Sequence, residues 1–500
     1  MGLGKTVIVI ATAEHLIESG EIGGGLIIAP ASLKYQWAGQ IDKFTGGAAN
    51  VLVVDGDLKQ RIRQYQQIKE GRVEYAILNY EQVVNDWSVV RHLPRDFICL
   101  DEAQAIKGLS SKRTRAIKKM KARYRWGLTG QPVENRAEDV FSIMEWVDPT
   151  VLGPATVFDR SFIIRDGFGR VQGYRNLPTL HKALARKMVR KTWDDPDVRD
   201  QMPKVTEESM LIDLDVSSSV LYRQITKELI EALEGTTFRG SFDVAAHYAG
   251  ESSTGSAEMG TIMSRLTCLR MLCDSPELIK ASADLKMGVA PLEGALMGST
   301  AGGSVYAAEL QSRGLLTKIK GGGVKIRVAT DLIKDLLSED PRNKIVLFSF
   351  FKGSLALMEQ ALRPYTECAM FHGDIPPIER EAQKQRFLKD AKCRVFLSSD
   401  AGGVGLDLPV ANYCISLDLP WSAGAWAQRN ARIIRLSSEW SNVTVISLLI
   451  AGSIEEWQYD ILAGKQALAD AVTDGRGVGA KGNLDSERES LLDFLRASSI

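Results

Sequence analysis

The sequence lacks long hydrophobic runs, net charge and clustered cysteine or histidine, and each absence excludes a class of protein. No apolar stretch approaches the roughly 18 residues that a membrane-spanning helix needs, so we expect no membrane partner. Lysine and arginine together number 62, as do aspartate and glutamate, so any nucleic-acid surface must be a local patch on a neutral chain. The six cysteines and five histidines are scattered, without the spacing of a disulfide framework or a zinc site.

The chain does have the length and composition of a large globular protein. Its 500 residues predict about three domains, and 45% of them are hydrophobic. In two regions, short apolar runs alternate with stretches of helical periodicity, a pattern that predicts α/β units with parallel sheets. The candidate buried strands are residues 26–28, 75–78, 97–100, 344–348, 393–397, 413–416 and 443–446.

The segment between these two regions has a different composition. Residues 158–233 are charged and helix-rich in pattern, whereas 235–260 and 288–323 are rich in glycine, serine and alanine and predict loops or linkers. Helices are expected at 264–279 and 486–495. We therefore predict a first lobe at 1–155, a helical insertion and linker at 156–325, a second lobe at 326–480 and a C-terminal helix at 481–500.

The first residues contain a glycine-rich loop. Gly2 and Gly4 are followed by Lys5 and Thr6, an arrangement that wraps backbone N–H groups around the phosphates of a nucleotide. In such a loop Lys5 reaches the terminal phosphates and the Thr6 hydroxyl holds Mg²⁺. The alternative is that these residues form a flexible N-terminus that binds no ligand. The permissive patterns of myristoylation and of a short secretory signal also match, but the later motifs favour the phosphate loop.

An acidic pair follows the apolar run 97–100. Asp101 and Glu102 would lie at the carboxyl end of a buried strand, where ligands gather in open α/β sheets. There Asp101 can hold Mg²⁺ and Glu102 can polarise the water that attacks the terminal phosphate. The alternative is a surface pair without a catalytic role.

Two arginines and a glycine cluster carry the chemistry of the second region. Arg432 and Arg435, three residues apart on an expected helix, would present both guanidinium groups on one face to a developing phosphate charge. An ion pair with a neighbouring carboxylate is the alternative for each. Gly402, Gly403 and Gly405 permit close backbone approach to a nucleic-acid phosphate, or form an ordinary loop.

A run of basic residues lies in the first region. Residues 111–125 carry eight lysines and arginines and no acidic residue. Such a run is either a solvated helix face or a surface for phosphate contact.

Several blocks together resemble the Swi/Snf-type ATPases of helicase superfamily two. The blocks occur in the family's order: 1–6, 26–37, 77–80, 101–107, 128–136, 345–349, 399–406 and 428–435. The resemblance implies an α/β fold with two RecA-like parallel-sheet lobes joined by a helix-rich insertion region. It also implies ATP and Mg²⁺ as cofactors and double-stranded DNA, without sequence preference, as partner.

The resemblance assigns roles to individual residues of this sequence. It implies catalytic roles for Asp101, Glu102, Arg432 and Arg435, nucleotide binding by Gly2, Gly4, Lys5, Thr6 and Gln428, and Mg²⁺ binding by Thr6 and Asp101. It further implies nucleic-acid contacts at Ser32, Tyr80, Ser349 and Gly403, and coupling of the two activities through Thr129, Gly130, Gly402 and Gly405.

The sequence departs from the family pattern at its start. In the family a β-strand and an adenine-reading segment precede the glycine loop, whereas this sequence begins at Met1 inside it. We expect the missing strand to leave a gap beside the strand that carries Asp101. Either this chain is a fragment of a longer protein, or its nucleotide pocket is damaged, and the expected partners include a missing N-terminal segment or a protein partner. Smaller departures, at Gln131, Asp407, Ser422 and 436–438, affect coupling more than phosphate chemistry.

These features predict an ATP-driven translocase on double-stranded DNA that hydrolyses ATP between its lobes and remodels protein–DNA complexes. The alternatives are a non-hydrolysing DNA-binding scaffold, suggested by the missing strand, and a strand-separating DNA or RNA helicase. We expect the protein in the cytoplasm of a bacterium or archaeon, or encoded by a phage, or in a eukaryotic nucleus.

Overall fold

The structure, a computed structural model, divides the chain into two compact units. The first comprises Met1–Thr192 and Lys465–Asn483, and the second comprises Trp193–Gly464 and Leu484–Ile500. None of the described helices combines the length and apolarity needed to cross a membrane. The structure describes residues 3–108, 111–134, 136–167, 169, 171–193, 195–235, 244–248, 257–289, 303–319, 322–400, 406–475 and 487–498.

The first unit is built on a five-stranded parallel sheet in the order β2-β3-β1-β4-β5, with a small antiparallel pair, β6 and β7. The strands are β1 Gly25–Ala29, β2 Val51–Val53, β3 Tyr75–Asn79, β4 Phe97–Asp101, β5 Tyr124–Leu128, β6 Ile163–Arg165 and β7 Val171–Tyr174. The helices are α1 Lys5–Glu18, α2 Lys34–Thr45, α3 Leu58–Lys69, α4 Tyr80–Asn85, α5 Trp87–Val90, α6 Lys112–Lys119, α7 Glu138–Val147, α8 Ala155–Phe162 and α9 Leu177–Leu184. Two 3-10 helices, Ala31–Leu33 and Ala103–Ile106, follow β1 and β4.

Continuous apolar runs form the centre of this sheet. Every residue of β1 and β4 is buried, as expected for parallel strands that are covered on both faces. The core cluster on one face includes Leu26, Leu78 and Leu100 together with Trp146 of α7. The sheet therefore holds the carboxyl end of β4, and with it Asp101, in a fixed place.

The structure contradicts the prediction of a gap beside the strand that carries Asp101. Strand β4 is paired on both sides, with β1 at Leu26↔Ile98 and with β5 at Cys99↔Trp126. Among the described residues, β5 pairs only with β4, so β5 is the edge of the sheet. The backbone groups of β4 are satisfied because β5, which the sequence did not mark as a strand, lies directly beside it.

The second unit is built on a six-stranded parallel sheet in the order β10-β11-β9-β12-β13-β8. The strands are β8 Lys204–Ile212, β9 Ile345–Phe348, β10 Glu367–Phe371, β11 Cys393–Ser398, β12 Tyr413–Ser416 and β13 Asn442–Ile450. The helices are α10 Pro196–Arg199, α11 Val216–Gly235, α12 Val244–Tyr248, α13 Ala257–Asp274, α14 Pro276–Lys286, α15 Val305–Ser312, α16 Val324–Glu339, α17 Lys352–Leu362, α18 Pro377–Lys389, α19 Ala423–Asn430, α20 Ile454–Thr473 and α21 Glu487–Ala497. A 3-10 helix occupies Leu316–Lys318, and the last part of α20 belongs to the first unit.

The α/β fold class with two parallel sheets is confirmed, but two segments differ from the sequence prediction. Strand β8 lies in the stretch predicted to be helix-rich and pairs with β13 over nine residues. Its residues are mostly exposed, so no apolar pattern marks it. Within 288–323, predicted as linker, residues 305–312 form α15, whose Tyr306 and Leu310 are buried. The helix expected at 264–279 is divided at Ser275 between α13 and α14, and α21 confirms the helix expected at 486–495.

Candidate nucleotide-binding and hydrolysis site

The phosphate-loop residues lie at the start of α1. Gly4 has φ 76°, a left-handed conformation that favours glycine, and α1 begins at the next residue, Lys5. Lys5 and Thr6 therefore lie in the first turn, where unpaired backbone N–H groups and the helix dipole attract anions. Gly2 lies outside the described residues.

Lys5 lines a cleft that follows the edge strand β5. The cleft has a volume of about 350 Å³ and is enclosed by α1, β5, α7 and residues 187–191. Apolar side chains such as Val9 and Met144 form its walls, and Thr129 and Gly130 also line it. Apolar walls with a few polar groups are typical of a small-molecule site.

Asp101 is a buried carboxylic acid with a raised pKa. Its side chain lies at the end of β4, and the residue is 7% exposed. Oδ2 accepts a hydrogen bond from Trp37 Nε1 at 2.8 Å, and Oδ1 accepts one from the Glu102 backbone N–H at 3.0 Å. Burial, reinforced by the charge of Glu102, raises the pKa of Asp101 to about 6, against the lowering effects of Trp37 and Lys5.

This environment fits a bound Mg²⁺ ion. No described residue forms an ion pair with Asp101, so its negative charge is only partly compensated within the chain. The Asp101 carboxylate and the Thr6 hydroxyl are hard oxygen ligands, the kind that Mg²⁺ prefers. The chemistry of these two side chains therefore fits Mg²⁺, and binding of the ion by Thr6 and Asp101 stays a prediction.

Glu102 has an unusual backbone and a defined side-chain partner. Its φ of 51° is left-handed, a conformation that non-glycine residues adopt rarely and that is enriched at functional sites. Gln104 Nε2 donates to Glu102 Oε2 at 2.7 Å, and Thr129 Oγ1 donates to Gln104 Oε1 at 2.8 Å. The backbone N–H of Gln131 in turn donates to Thr129 Oγ1 at 3.0 Å. A chain of hydrogen bonds therefore links the acidic pair to the loop after β5.

The predicted nucleic-acid residues differ in accessibility. Ser32 is exposed, at the turn between β1 and α2. Tyr80 is 3% exposed and its hydroxyl donates to the Asp101 carbonyl oxygen at 2.7 Å, whereas Ser349 is fully buried and donates to Asp418. The side chains of Tyr80 and Ser349 are therefore not exposed to a phosphate, and nucleic-acid contact by the loops around them stays a prediction. Gly403 lies outside the described residues.

The basic run is partly neutralised. Arg113 pairs with Glu81 at 2.8 Å, Arg123 pairs with Glu21 at 2.8 Å, and Lys118 pairs with Glu145. Helix α6 covers only Lys112–Lys119 of the run. Its exposed surface still carries cations, including Arg113, whose side chain is 42% exposed.

In the second unit, Arg432 and Arg435 do not share a helix. Helix α19 ends at Asn430, and both arginines follow it in turns, so the prediction of one helical face is wrong. Their guanidinium groups converge through a common acceptor: each donates to the Leu406 carbonyl oxygen, Arg432 at 3.0 Å and Arg435 at 3.2 Å. Arg435 also forms an ion pair with Asp407 at 3.2 Å, and half-buried Gln428 lies on α19.

The sequence did not single out Arg429, which the structure shows as a buried anchor. It is 2% exposed and binds both carboxylate oxygens of Asp400, at 2.5 and 2.7 Å, while its third nitrogen donates to the Asp418 carbonyl oxygen. Burial lowers the pKa of Arg429, but Asp400 and Asp418 outweigh it, so the net direction is upward. Asp400 precedes residues 401–405, which include Gly402 and Gly405 and lie outside the described residues.

Family models match most of the chain. The model of the SNF2-related domain matches residues 1–278, and that of the helicase conserved C-terminal domain matches residues 325–437. The first alone covers more than half of the 500 residues. This chain belongs to the SNF2-related family of helicase-like proteins, and the resemblance seen in the sequence is confirmed.

Known proteins align along nearly the whole chain. The protein YwqA of Bacillus subtilis is 26% identical over 94% of this chain and 46% of its own length. The DNA repair and recombination protein RAD54B of Mus musculus is 25% identical over 95% of this chain and 53% of its own length. The solved Sulfolobus solfataricus SWI2/SNF2 ATPase core in complex with dsDNA is 22% identical, covers 100% of this chain and 92% of its own, and has a TM-score of 0.39. The chain spans about half the length of these curated relatives.

Proposed function

We propose that this chain is an ATP-driven translocase on double-stranded DNA that hydrolyses ATP to remodel protein–DNA complexes. Membership of the SNF2-related family supports nucleotide use by this chain. Hydrolysis of ATP on DNA is what we propose beyond it. The observation that carries it is the carboxylate of Asp101, which is buried at the end of β4 next to Glu102 and forms no ion pair with a described residue. The charge of Lys5 acts to lower the pKa of Asp101, against the larger raising effect of burial.

In this proposal each residue of the first unit has one task. Lys5 and the N–H groups at the start of α1 bind the terminal phosphates of ATP, and Thr6 and Asp101 hold Mg²⁺. When bound, the metal neutralises phosphate charge. Glu102, oriented by Gln104, accepts a proton from the attacking water.

Residues of the second unit complete the proposed cycle. Arg432 and Arg435 stabilise the charge that develops on the transferred phosphoryl group, and Gln428 contributes to nucleotide binding. Thr129 and Gly130 couple the site to movement along DNA, together with Gly402 and Gly405, while Ser32 and Gly403 contact backbone phosphates. Contacts of this kind follow the duplex without reading its sequence.

The test is DNA-stimulated ATP hydrolysis by the 500-residue chain. We expect Lys5→Ala and Glu102→Gln each to reduce turnover by at least about 100-fold, since a lost general base alone has an effect of this size. Lys59→Ala, which removes an exposed lysine from α3 of the same unit, is the matched control and should retain full turnover. Hydrolysis that survives both site substitutions would reject the mechanism.

Two further measurements separate the alternatives. Calorimetric titration with ATP distinguishes a motor from a non-hydrolysing DNA-binding scaffold, because a scaffold shows no saturable ATP binding. Incubation with a tailed duplex identifies a strand-separating helicase by release of the labelled strand, whereas displacement of a bound protein without strand release supports translocation.

A further inference from the structure

The carboxylate of Asp101 is oriented by a side chain from another element. Trp37 of α2 is 2% exposed and donates its indole N–H to Oδ2, while the Glu102 N–H donates to Oδ1. With one directed donor on each oxygen, the plane of the carboxylate is set by the position of the indole. The orientation of Asp101, the proposed Mg²⁺ ligand, therefore depends on the position of α2.

The segment that carries Trp37 also carries an exposed candidate for phosphate contact. Ser32, in the 3-10 helix Ala31–Leu33, leads directly into α2. The first residue of α2, Lys34, is buried and donates to the Val54 carbonyl oxygen at 2.7 Å. Ser32 and Trp37 therefore lie on one continuous helical segment, and we expect a phosphate bound at Ser32 to influence the position of Trp37 through it.

A second set of contacts connects Asp101 to helix α6, which lies in the basic run 111–125. Asn79 and Gln82 form a capping box that fixes the start of α4, and hence Tyr80, at the end of β3. The Tyr80 hydroxyl donates to the Asp101 carbonyl oxygen at 2.7 Å, and the guanidinium of Arg113 lies 5.5 Å from the Tyr80 ring centre. Arg113 is therefore an exposed cation of α6 in contact with a buried ring that holds Asp101.

We infer that Trp37 and Tyr80 are positioning residues that transmit the binding of a nucleic-acid backbone, at Ser32 and at the exposed face of α6, to Asp101. The inference rests on the proposed function and adds the route by which DNA alters hydrolysis. Both routes end on Asp101, one at its side chain and one at its backbone. Glu102 follows in the chain, so a shift of Asp101 also moves the group assigned to the attacking water.

The decisive variant is Trp37→Phe, which keeps an aromatic ring but removes the N–H donor. We expect the DNA-stimulated kcat to fall about tenfold, because small misplacements of catalytic groups reduce rates strongly. The DNA-free rate should fall much less, and the KM for ATP and the Kd for DNA should stay within about twofold. Tyr80→Phe should show the same pattern more weakly. Equal losses with and without DNA would overturn the inference, because they indicate only structural support.

Trp146→Phe is the matched control. Trp146 is 1% exposed in the core of the same unit, and its indole nitrogen has no hydrogen-bond partner among the described groups. Its replacement removes a buried indole without breaking a link to the acidic pair. We expect the ratio of DNA-stimulated to DNA-free rates to match that of the wild type; a ratio reduced as far as in Trp37→Phe would overturn the inference.

A measurement without turnover separates this inference from the proposed function. The chain contains nine tryptophans, so 5-fluorotryptophan labelling allows the ¹⁹F resonance of Trp37 to be assigned by its absence from Trp37→Phe. Adding duplex DNA without nucleotide should shift this resonance, and an unshifted Trp37 resonance on DNA that is bound would overturn the coupling. If the wild type binds DNA and shifts the resonance but hydrolyses no ATP, the proposed function fails while the link stands.

Discussion

The two units hold their charged site residues in opposite electrostatic states. In the first, Asp101 is buried with hydrogen bonds and forms no ion pair with a described residue, and its pKa is raised to about 6. In the second, Arg429 is equally buried but bound by Asp400 on two nitrogens, and its pKa is raised, which favours its charged form. A buried charge left partly uncompensated is available to a ligand, whereas a fully paired one supports the fold.

Arg435 gives the sharpest test of this comparison, because it lies after the helix that contains Arg429 and its ion pair with Asp407 is partly exposed. Its carboxylate partner Asp407 is 51% exposed, so the pair adds little stability. We expect Arg435→Ala to reduce DNA-stimulated ATP turnover by about 1000-fold, as for other arginines that stabilise phosphoryl transfer. The free energy of unfolding, measured by thermal denaturation, should change by less than about 1 kcal/mol. Turnover at the wild-type level would assign Arg435 to structure.

Arg429→Ala should show the reverse balance. Removing it leaves Asp400 and Asp418 without their bidentate and carbonyl partners inside the second unit. Breaking a buried pair in this way costs about 3–5 kcal/mol, so we expect the second unit to unfold at a clearly lower temperature in calorimetry. The substitution Arg429→Lys restores the charge but not the fork, and should recover only part of the loss. A variant as stable as the wild type would contradict a structural role for this arginine.

Asp101→Asn tests the uncompensated charge directly. The folded pKa of about 6 lies above the ordinary 3.8, so the folded state binds its proton more tightly than the unfolded state, and ionised Asp101 destabilises the first unit. The penalty develops from about pH 4 to pH 6 and reaches about 3 kcal/mol at pH 7. In buffer with a metal chelator, the stability of Asp101→Asn relative to the wild type should rise by about 3 kcal/mol between pH 4 and pH 7. The Asn side chain can accept only one of the two hydrogen bonds from Trp37 and Glu102, which lowers its stability by an amount that does not depend on pH. A pH-independent difference would contradict this account.

The smallest expected effect concerns the link between the acidic pair and the loop after β5. Thr129→Val removes the hydroxyl that donates to Gln104 and accepts from Gln131. We expect a loss of about 1 kcal/mol in the stability of the first unit, typical of one buried hydrogen-bonded group. Thr129→Ser keeps the hydroxyl and serves as the control in the same denaturation experiment. Equal stability of Thr129→Val and Thr129→Ser would show that the link carries no energy.

Local sequence patterns predicted the strands whose own residues are continuously apolar. The apolar runs at 97–100, 345–348 and 413–416 became strands because continuous apolar segments are stable where helices cover both faces of a sheet. The helix after the glycine loop followed from its periodicity. By contrast, β8 has few buried residues and exists because it pairs with β13, more than two hundred residues away along the chain. No local signal encodes such a partner.

The residues of the candidate site also divide into those that sequence patterns predicted and those that only tertiary contacts revealed. Sequence patterns selected Lys5, Asp101, Glu102 and Arg435, because phosphate chemistry requires these cations and carboxylates within recognisable motifs. They did not select Trp37, Gln104 or Arg429, whose importance lies in what they touch. They marked the loops around Tyr80 and Ser349 for nucleic-acid contact, and only the structure showed that these two side chains are buried.

The sequence by itself determined the family, the parallel α/β units and the residue types available for phosphate chemistry, since periodicity and motif spacing are properties of neighbouring residues. Tertiary structure alone decided that β5 is an edge, that Arg429 is locked and that Asp101 is oriented by Trp37. Those outcomes depend on burial and on distances between residues far apart in the chain, which set the energies of charges and hydrogen bonds.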